Sequence, residues 1–270
     1  MISQRLQPAS GRTREQALSS AWSDFKKACS PVPASCLGDR RKDEISRRFK
    51  QLSLLTVYRE GAVLRGGGYL HFFHGLKRDP TDIDFITRVA PSMEIHLEVA
   101  KELAGYGIEV TTHKPFQKPN GGMFFSFKLI WPEDYCQVQV ELSRKDPLLP
   151  PIQVNMEEFG HVFVMQGLSL QEQGMQKIRA LIQRDVPTPR DVIDLYYLIS
   201  EKKISFDLDF VMRITSDKPG REPYSPGLFS QKLSDIGNRL DNMYGSVGLT
   251  GIIDFGLMKQ TLAGWVSGKK

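Results

Sequence analysis

The sequence predicts an α+β protein, with a sheet and its helices in the first part of the chain and a mainly helical part after it. Three observations carry this prediction. The apolar run Ala62-Val63-Leu64, the glycines Gly66-Gly67-Gly68 and the segment Thr81-Asp82-Ile83-Asp84-Phe85 read as strand, turn, short helix and strand. Residues 108–113, 124–130 and 137–142 are rich in β-branched and aromatic side chains, and Asn120-Gly121-Gly122 marks a turn between the first two. Beyond the proline cluster at residues 147–151, apolar positions recur mainly at helical spacing. These breaks predict an N-terminal arm or helical cap over residues 1–42, a sheet-bearing domain over 43–150 and a helical domain over 151–270.

Each element has a local cause. Residues 13–28 read as a short helix, stopped by Ser30-Pro31-Val32-Pro33. Over residues 43–59, Ile45, Phe49, Leu52 and Leu55 share one helical face, which gives an amphipathic helix leading into the first strand. Residues 69–74 allow one or two helical turns. A further helix spans 91–106, with Ile95, Val99 and Leu103 on one face and Gly107 at its stop. In residues 137–142, Val138, Val140 and Leu142 alternate with Gln137, Gln139 and Glu141, so the strand is half-buried and Glu141 lies on its polar face. Residues 161–165 read as one more strand. Ser169 then opens a helix as N-cap, with Glu172 completing a capping box. Met175, Ile178, Leu181 and Ile182 form the buried stripe of this helix, while Lys177 and Arg184 point elsewhere. Pro187-Thr188-Pro189 ends it, and the next helix begins near Arg190, which puts Asp191 and Asp194 on neighbouring rows. About three more helices are expected over residues 210–265.

With 270 residues, 40% hydrophobic and 25% charged, the chain can bury a sizeable core. Its apolar runs are too short and too interrupted to span a bilayer, and charges stand where a signal peptide needs an apolar stretch, so a cytoplasmic protein with no membrane partner is expected. Cys29, Cys36 and Cys136 show no metal-ligand or redox spacing, which fits a reducing compartment. The net charge of +5 is concentrated in Arg40-Arg41-Lys42, Arg47-Arg48 and Lys50, with a smaller patch at Lys269-Lys270. Such runs permit contact with a polyanion, and they serve equally as solvated helix faces.

The chemistry is concentrated in the first strands. Side chains two apart on a strand share a face, so Asp82 and Asp84 stand side by side with Ile83 behind them. Two adjacent carboxylates repel unless a cation lies between them, and Mg²⁺ takes one or two carboxylates together with substrate phosphates. The glycines let the backbone turn sharply and bring N–H groups to a phosphate. An Asp-x-Asp pair alone says little, because Asp207-Leu208-Asp209 repeats the pattern without a glycine turn before it. Neither a Walker loop nor a dinucleotide fingerprint is present, and the five histidines lack metal-ligand spacing. Glu141 stands where it could join the two aspartates or simply face solvent.

Taken together and in order, Val63-Leu64-Arg65-Gly66-Gly67-Gly68-Tyr69-Leu70, Gly75-Leu76-Lys77-Arg78, Asp82-Ile83-Asp84-Phe85, Gln176-Lys177-Ile178-Arg179-Ala180-Leu181 with Arg184, and Arg190-Asp191-x-x-Asp194-Leu195-Tyr196 resemble the AbiEii family of nucleotidyltransferase-like toxins. The resemblance covers roughly residues 60–200. It implies a polymerase-β-like nucleotidyltransferase domain built on a mixed sheet, followed by a helical domain that contributes to the active site. It also implies a bacterial toxin–antitoxin or phage-defence role, with a possible cognate antitoxin. Relatives of the MenT type transfer nucleotides to tRNA acceptor ends, which makes NTP the substrate, Mg²⁺ the cofactor and an RNA, above all tRNA, the expected acceptor. Transfer to a protein side chain and a non-catalytic nucleotide- or partner-binding module are the alternatives. By the same resemblance Asp82 and Asp84 are the metal-binding acids and Glu141 the third. Gly66, Gly67 and Gly68 form the nucleotide-binding turn, Lys177 touches nucleotide phosphates, and Asp191 is the functional aspartate of the last motif beside Arg190. Gly68 stands where the family usually has a hydroxyl, Pro80 where it has serine and Gln176 where it has glutamate.

Overall fold

The computed structural model describes residues 12–29, 39–80, 82–119, 121–130, 137–216, 222–240 and 255–266. In chain order its elements are α1 (Arg14–Cys29), α2 (Asp39–Val57), β1 (Val63–Arg65), α3 (Gly66–His74), β2 (Asp82–Thr87), α4 (Ile95–Gly105), β3 (Val110–Gln117), β4 (Met123–Leu129), β5 (Gln137–Arg144), β6 (Ile152–Glu158) and β7 (His161–Gly167). The helices α5 (Leu170–Gln183), α6 (Pro189–Ser200), α7 (Leu208–Ser216), α8 (Pro226–Leu240) and α9 (Phe255–Val266) follow. The predicted α+β class holds. Among the described residues no helix is long and apolar enough to cross a membrane.

The chain divides into two compact units. The first comprises Met1–Phe73, Thr81–Pro147 and Pro151–Gly167, and the second comprises His74–Pro80, Leu148–Pro150 and Leu168–Lys270. In the first, the strands are ordered β3-β4-β5-β2-β1-β7-β6. β5 and β2 pair in parallel, as do β1 and β7, and the remaining neighbours are antiparallel, so the sheet is mixed. Helices α2 and α4 pack on β5 and on β3–β4 respectively. Their apolar stripes meet Ile83, Phe85, Phe125, Phe127, Val138 and Val140 in one core. Trp22, Phe25, Phe49 and Phe127 form a chain of mostly edge-on ring contacts in it, an arrangement worth about 0.5–1.5 kcal/mol per pair beyond burial.

This packing changes the expected boundaries. α1 is not a separate cap: Leu18, Ala21, Trp22 and Phe25 are buried in the sheet's core, and the Trp22 indole N–H donates to Thr56 Oγ1 at 3.0 Å. Nor does the sheet end at the proline cluster, because β6 and β7 add to it after residue 151. β6 alternates exposed Gln153, Asn155 and Glu157 with buried Val154 and Met156, and its polar residues are tolerated because it is the last strand of the sheet. Cys29 is buried, whereas Cys36 and Cys136 lie outside the described residues.

The second unit is helical. Ser169 caps α5 as predicted, accepting from the Glu172 N–H at 3.1 Å. The Glu172 carboxylate does not close a capping box: it accepts from the N–H groups of Leu148 and Leu149 at 3.0 and 2.9 Å. Burial favours this, since the enclosed Glu172 carboxylate needs donors. A Cβ on Gly174 would lie 1.9 Å from the Phe206 ring, so only glycine fits that contact.

Candidate active site

The first unit gathers the predicted acids on one face of its sheet. β2 buries Ile83 and Phe85 on one side and leaves Asp82 and Asp84 half-buried on the other, where Ile86 is buried beyond them. In the parallel pairing with β5, Asp84 stands opposite Glu141 and Asp82 opposite Gln139. In the antiparallel pairing with β1, Asp84 stands opposite Arg65. Directly opposed residues point to the same face, so Arg65, Asp84 and Glu141 form one row across three strands.

Glu141 is already occupied. Arg65 Nη2 lies 2.8 Å from its Oε1, Lys118 Nζ 2.8 Å from its Oε2, and Ser143 Oγ donates to Oε1 at 2.8 Å. Burial works against ionisation of this carboxyl, but Arg65, Lys118 and Ser143 hold it below the usual carboxylate range. Among the described residues, no three His, Cys, Asp or Glu side chains are drawn together as a metal cluster. Asp82 and Asp84 nevertheless suit a hard divalent cation, being adjacent oxygen donors on a partly open face.

The glycine run differs from a simple turn. Gly66 alone of the three has positive φ, at +78°, and Gly67 and Gly68 are already the buried first turn of α3. A Cβ at Gly66 would lie 2.1 Å from Asp84 Oδ2 and 2.9 Å from Asp84 Cγ. The backbone at the N-terminus of α3 therefore rests directly against a predicted metal ligand. Helix N-termini present unpaired N–H groups and a partial positive charge, a setting suited to phosphate.

The second unit holds a different cluster. Lys177 Nζ lies 3.1 Å from Asp191 Oδ1 and 2.7 Å from Asp194 Oδ2. Arg78 grips Asp194 with two parallel bonds, Nε to Oδ1 at 2.9 Å and Nη2 to Oδ2 at 3.0 Å. Thr188 Oγ1 donates to Asp191 Oδ2 at 2.7 Å, and Arg184 pairs with the same oxygen. Arg78 and Asp194 are 4% and 0% exposed, so this is a buried network. Burial disfavours the Lys177 ammonium, yet Asp194 and Asp191 raise its pKa above the usual value. Burial likewise opposes the Asp194 charge, and Lys177 and Arg78 reverse that and hold its carboxyl low. Arg190 lies half-buried at the start of α6, beside Asp191.

The predicted residues thus fall into two groups: Gly66, Gly67, Gly68, Asp82, Asp84 and Glu141 in the first unit, and Lys177, Arg190 and Asp191 in the second. Sequence reasoning gave no role to Arg78, Arg65 or Lys118. For Arg78 a signal existed: Asp194 sits between Ile193 and Leu195 in a buried stripe, and a buried carboxylate requires a cation. The basic helix is less available than its composition suggests. Arg48 pairs with Glu44 and Glu158 and covers the Phe159 ring, Arg47 donates to Gln51, and Arg41 donates to the Ala28 carbonyl.

A mixed sheet carrying two aspartates beside a glycine-started helix, with a helical region after it, fits the nucleotidyltransferase class that the sequence resemblance implies. Two solved structures share the fold: JHP933 from Helicobacter pylori, at 16% identity and TM-score 0.54 over 86% of this chain and 93% of that one, and a protein from the same organism described as a candidate nucleotidyltransferase, at 17% identity and TM-score 0.53 over 86% and 96%. The model of the family described as nucleotidyl transferase AbiEii toxin, type IV toxin–antitoxin system, matches residues 53–243. The chain belongs to this family and is a nucleotidyltransferase toxin. No curated protein matches it.

Proposed function

We propose that the protein transfers a nucleoside monophosphate from an NTP to an RNA acceptor, a tRNA end above all, and that it depends on Mg²⁺. The observation that carries this reading is the contact between Gly66 and Asp84, which joins a phosphate-binding helix start to a paired-carboxylate strand. Asp82 and Asp84 are the residues that would hold the metal. When bound, Mg²⁺ supplies Lewis-acid polarisation and charge neutralisation at the phosphoryl group. Glu141 adds a third oxygen only by giving up Arg65 and Lys118.

The chain's own part is binding and positioning. N–H groups at the start of α3, with Gly66 to Gly68, cradle the triphosphate. Lys177 contributes a cation for nucleotide phosphate; an ammonium has three donors, of which Asp191 and Asp194 engage two. Asp191 orients that lysine, and Arg190 adds a neighbouring positive charge. The acceptor hydroxyl forms a bond to the α-phosphorus as the bond to the β-phosphate oxygen breaks, pyrophosphate leaves and the hydroxyl proton is released. Membership of a type IV toxin–antitoxin family implies an antitoxin partner that restrains this activity in the cell.

The test is incubation of the protein with Mg²⁺, each α-labelled NTP in turn and bacterial tRNA. Label should enter RNA with one NTP and vanish in Asp84→Asn. Label in protein instead would overturn the RNA acceptor, and no transfer with any NTP would overturn the reaction for these acceptors.

A further inference from the structure

The row of Arg65, Asp84 and Glu141 continues to the sheet edge through two phenylalanines. Phe124 on β4 stands opposite Glu141, and Phe116 on β3 stands opposite Phe124. The neighbouring row runs His113, Ser126, Gln139 and Asp82. Phe125 and Phe127 belong to the other face and are 1% and 0% exposed, whereas Phe116 is 63% exposed.

The placement of Phe116 depends on a bulge. The pairing of β3 with β4 shifts register between His113 and Phe116, with one more residue on β3 than on β4. On a regular strand, residues three apart face opposite sides, so Phe116 would point away from His113 and into the core. The bulge turns it onto the polar face instead, the kind of re-aiming that bulges perform beside functional sites. The ring is thus presented in line with the catalytic acids. Lys118 follows β3 directly, Lys128 lies half-buried on the same face of β4, and His113 is exposed on β3.

The geometry points to a stacking platform for the terminal bases of the acceptor RNA, formed by Phe116 and Phe124. Exposed aromatic rings among cations on an open sheet are how proteins hold unpaired bases and their backbone. The choice of acceptor over NTP rests on the function proposed above and on in-line geometry. If the triphosphate lies at Gly66, on the β1 side of Asp84, then pyrophosphate leaves towards β1 and the attacking hydroxyl comes from the opposite side. That side is β5, β4 and β3. At about 4.8 Å per strand, Phe124 and Phe116 stand roughly 10 and 14 Å from Asp84, the reach of the last one or two nucleotides of an extended strand.

Equilibrium binding separates this inference from turnover. A short single-stranded RNA with a terminal 2-aminopurine reports stacking by quenching, and a non-hydrolysable NTP analogue reports the other substrate. Phe116→Ala should weaken RNA binding on the order of tenfold and relieve the quenching, Phe116→Trp should retain both, and NTP-analogue affinity should stay unchanged in each. Phe124→Leu, with folding checked by circular dichroism, should act in the same direction. If wild type binds the RNA and Phe116→Ala binds it equally well, the platform is refuted while the RNA acceptor stands. Loss of NTP-analogue binding instead would assign the rings to the incoming base and overturn the inference. If wild type binds the analogue but no RNA, the acceptor reading falls and the platform with it.

Discussion

The two charged groups of this protein use similar residues to opposite ends. On the sheet, Asp82 and Asp84 stand side by side on a half-open face, and their neighbour Glu141 is shared by Arg65 and Lys118. In the helical unit, Asp191 and Asp194 are enclosed with Lys177 and Arg78, and Asp194 is wholly buried. Burying an ion pair gains little net stability, but removing one member leaves the other charge stranded. The enclosed network is therefore architecture that also poises Lys177, whereas Asp82 and Asp84 stand on a half-open face that a ligand can reach.

The sharpest contrast is between Asp84→Asn and the buried network. Asp84→Asn should lower nucleotidyl transfer on the order of 10²–10³-fold or more, since it removes electrostatic stabilisation aimed at the reacting phosphate. Its denaturation midpoint should move far less than that of a variant in the buried network, because Asp84 lies on a half-open face. Transfer assays and urea denaturation on the same preparation test both halves. A large loss of stability would erase the distinction between the two groups.

Asp194→Ala should do the reverse, costing about 3–5 kcal/mol in urea denaturation by stranding Arg78 and Lys177. The pH dependence follows from the same pairs. Asp194 has its folded pKa depressed, so its contribution is present above its usual 3.8 and is lost as pH falls through the lower folded value. Lys177 has its folded pKa raised, so its contribution is full below 10.5 and is lost as pH rises through the higher folded value. Wild-type stability should hold between these limits, and Asp194→Ala should flatten the acid limb.

The contrast also explains what the sequence could reveal. Asp82, Asp84 and Glu141 were legible because strand alternation fixes faces locally, and the register then brought Glu141 opposite Asp84. The glycines were legible as a turn, but the dependence of Gly66 on Asp84 arises only when β1 and β2 pair. Arg78 and Asp194 are separated by more than a hundred residues, so local pattern could not join them. The expected domain boundary at the proline cluster falls within the sheet, because β6 and β7 pair onto it beyond residue 151, and α1 docks in the sheet's core, which helix spacing alone does not specify.

Gly66→Ala probes the hinge of the open group. The added methyl has to adopt a left-handed backbone and displace the Asp84 carboxylate, at about 1–3 kcal/mol in stability. Transfer should fall together with it. Combining Gly66→Ala with Asp84→Asn should cost less transfer than the two losses added, because both act through the same carboxylate. Additive losses would mean that Gly66 acts elsewhere.

Glu141→Gln is the smallest and most discriminating change. The side chain is 24% exposed and its cations keep some access to water, so loss of its charge should cost about 1 kcal/mol, less than at the fully enclosed Asp194. Gln keeps an oxygen for Ser143 while removing the charge that holds Arg65 and Lys118. A residue that positions cations around a metal site typically costs about 10–100-fold when changed, less than a ligand itself. Transfer by Glu141→Gln should therefore fall less than in Asp84→Asn. A loss equal to that of Asp84→Asn would mean that Glu141 exchanges its two cations for the metal during the reaction, releasing Arg65 and Lys118 to bind phosphate, and the open row would then be a three-acid site whose third member is held back by ion pairing.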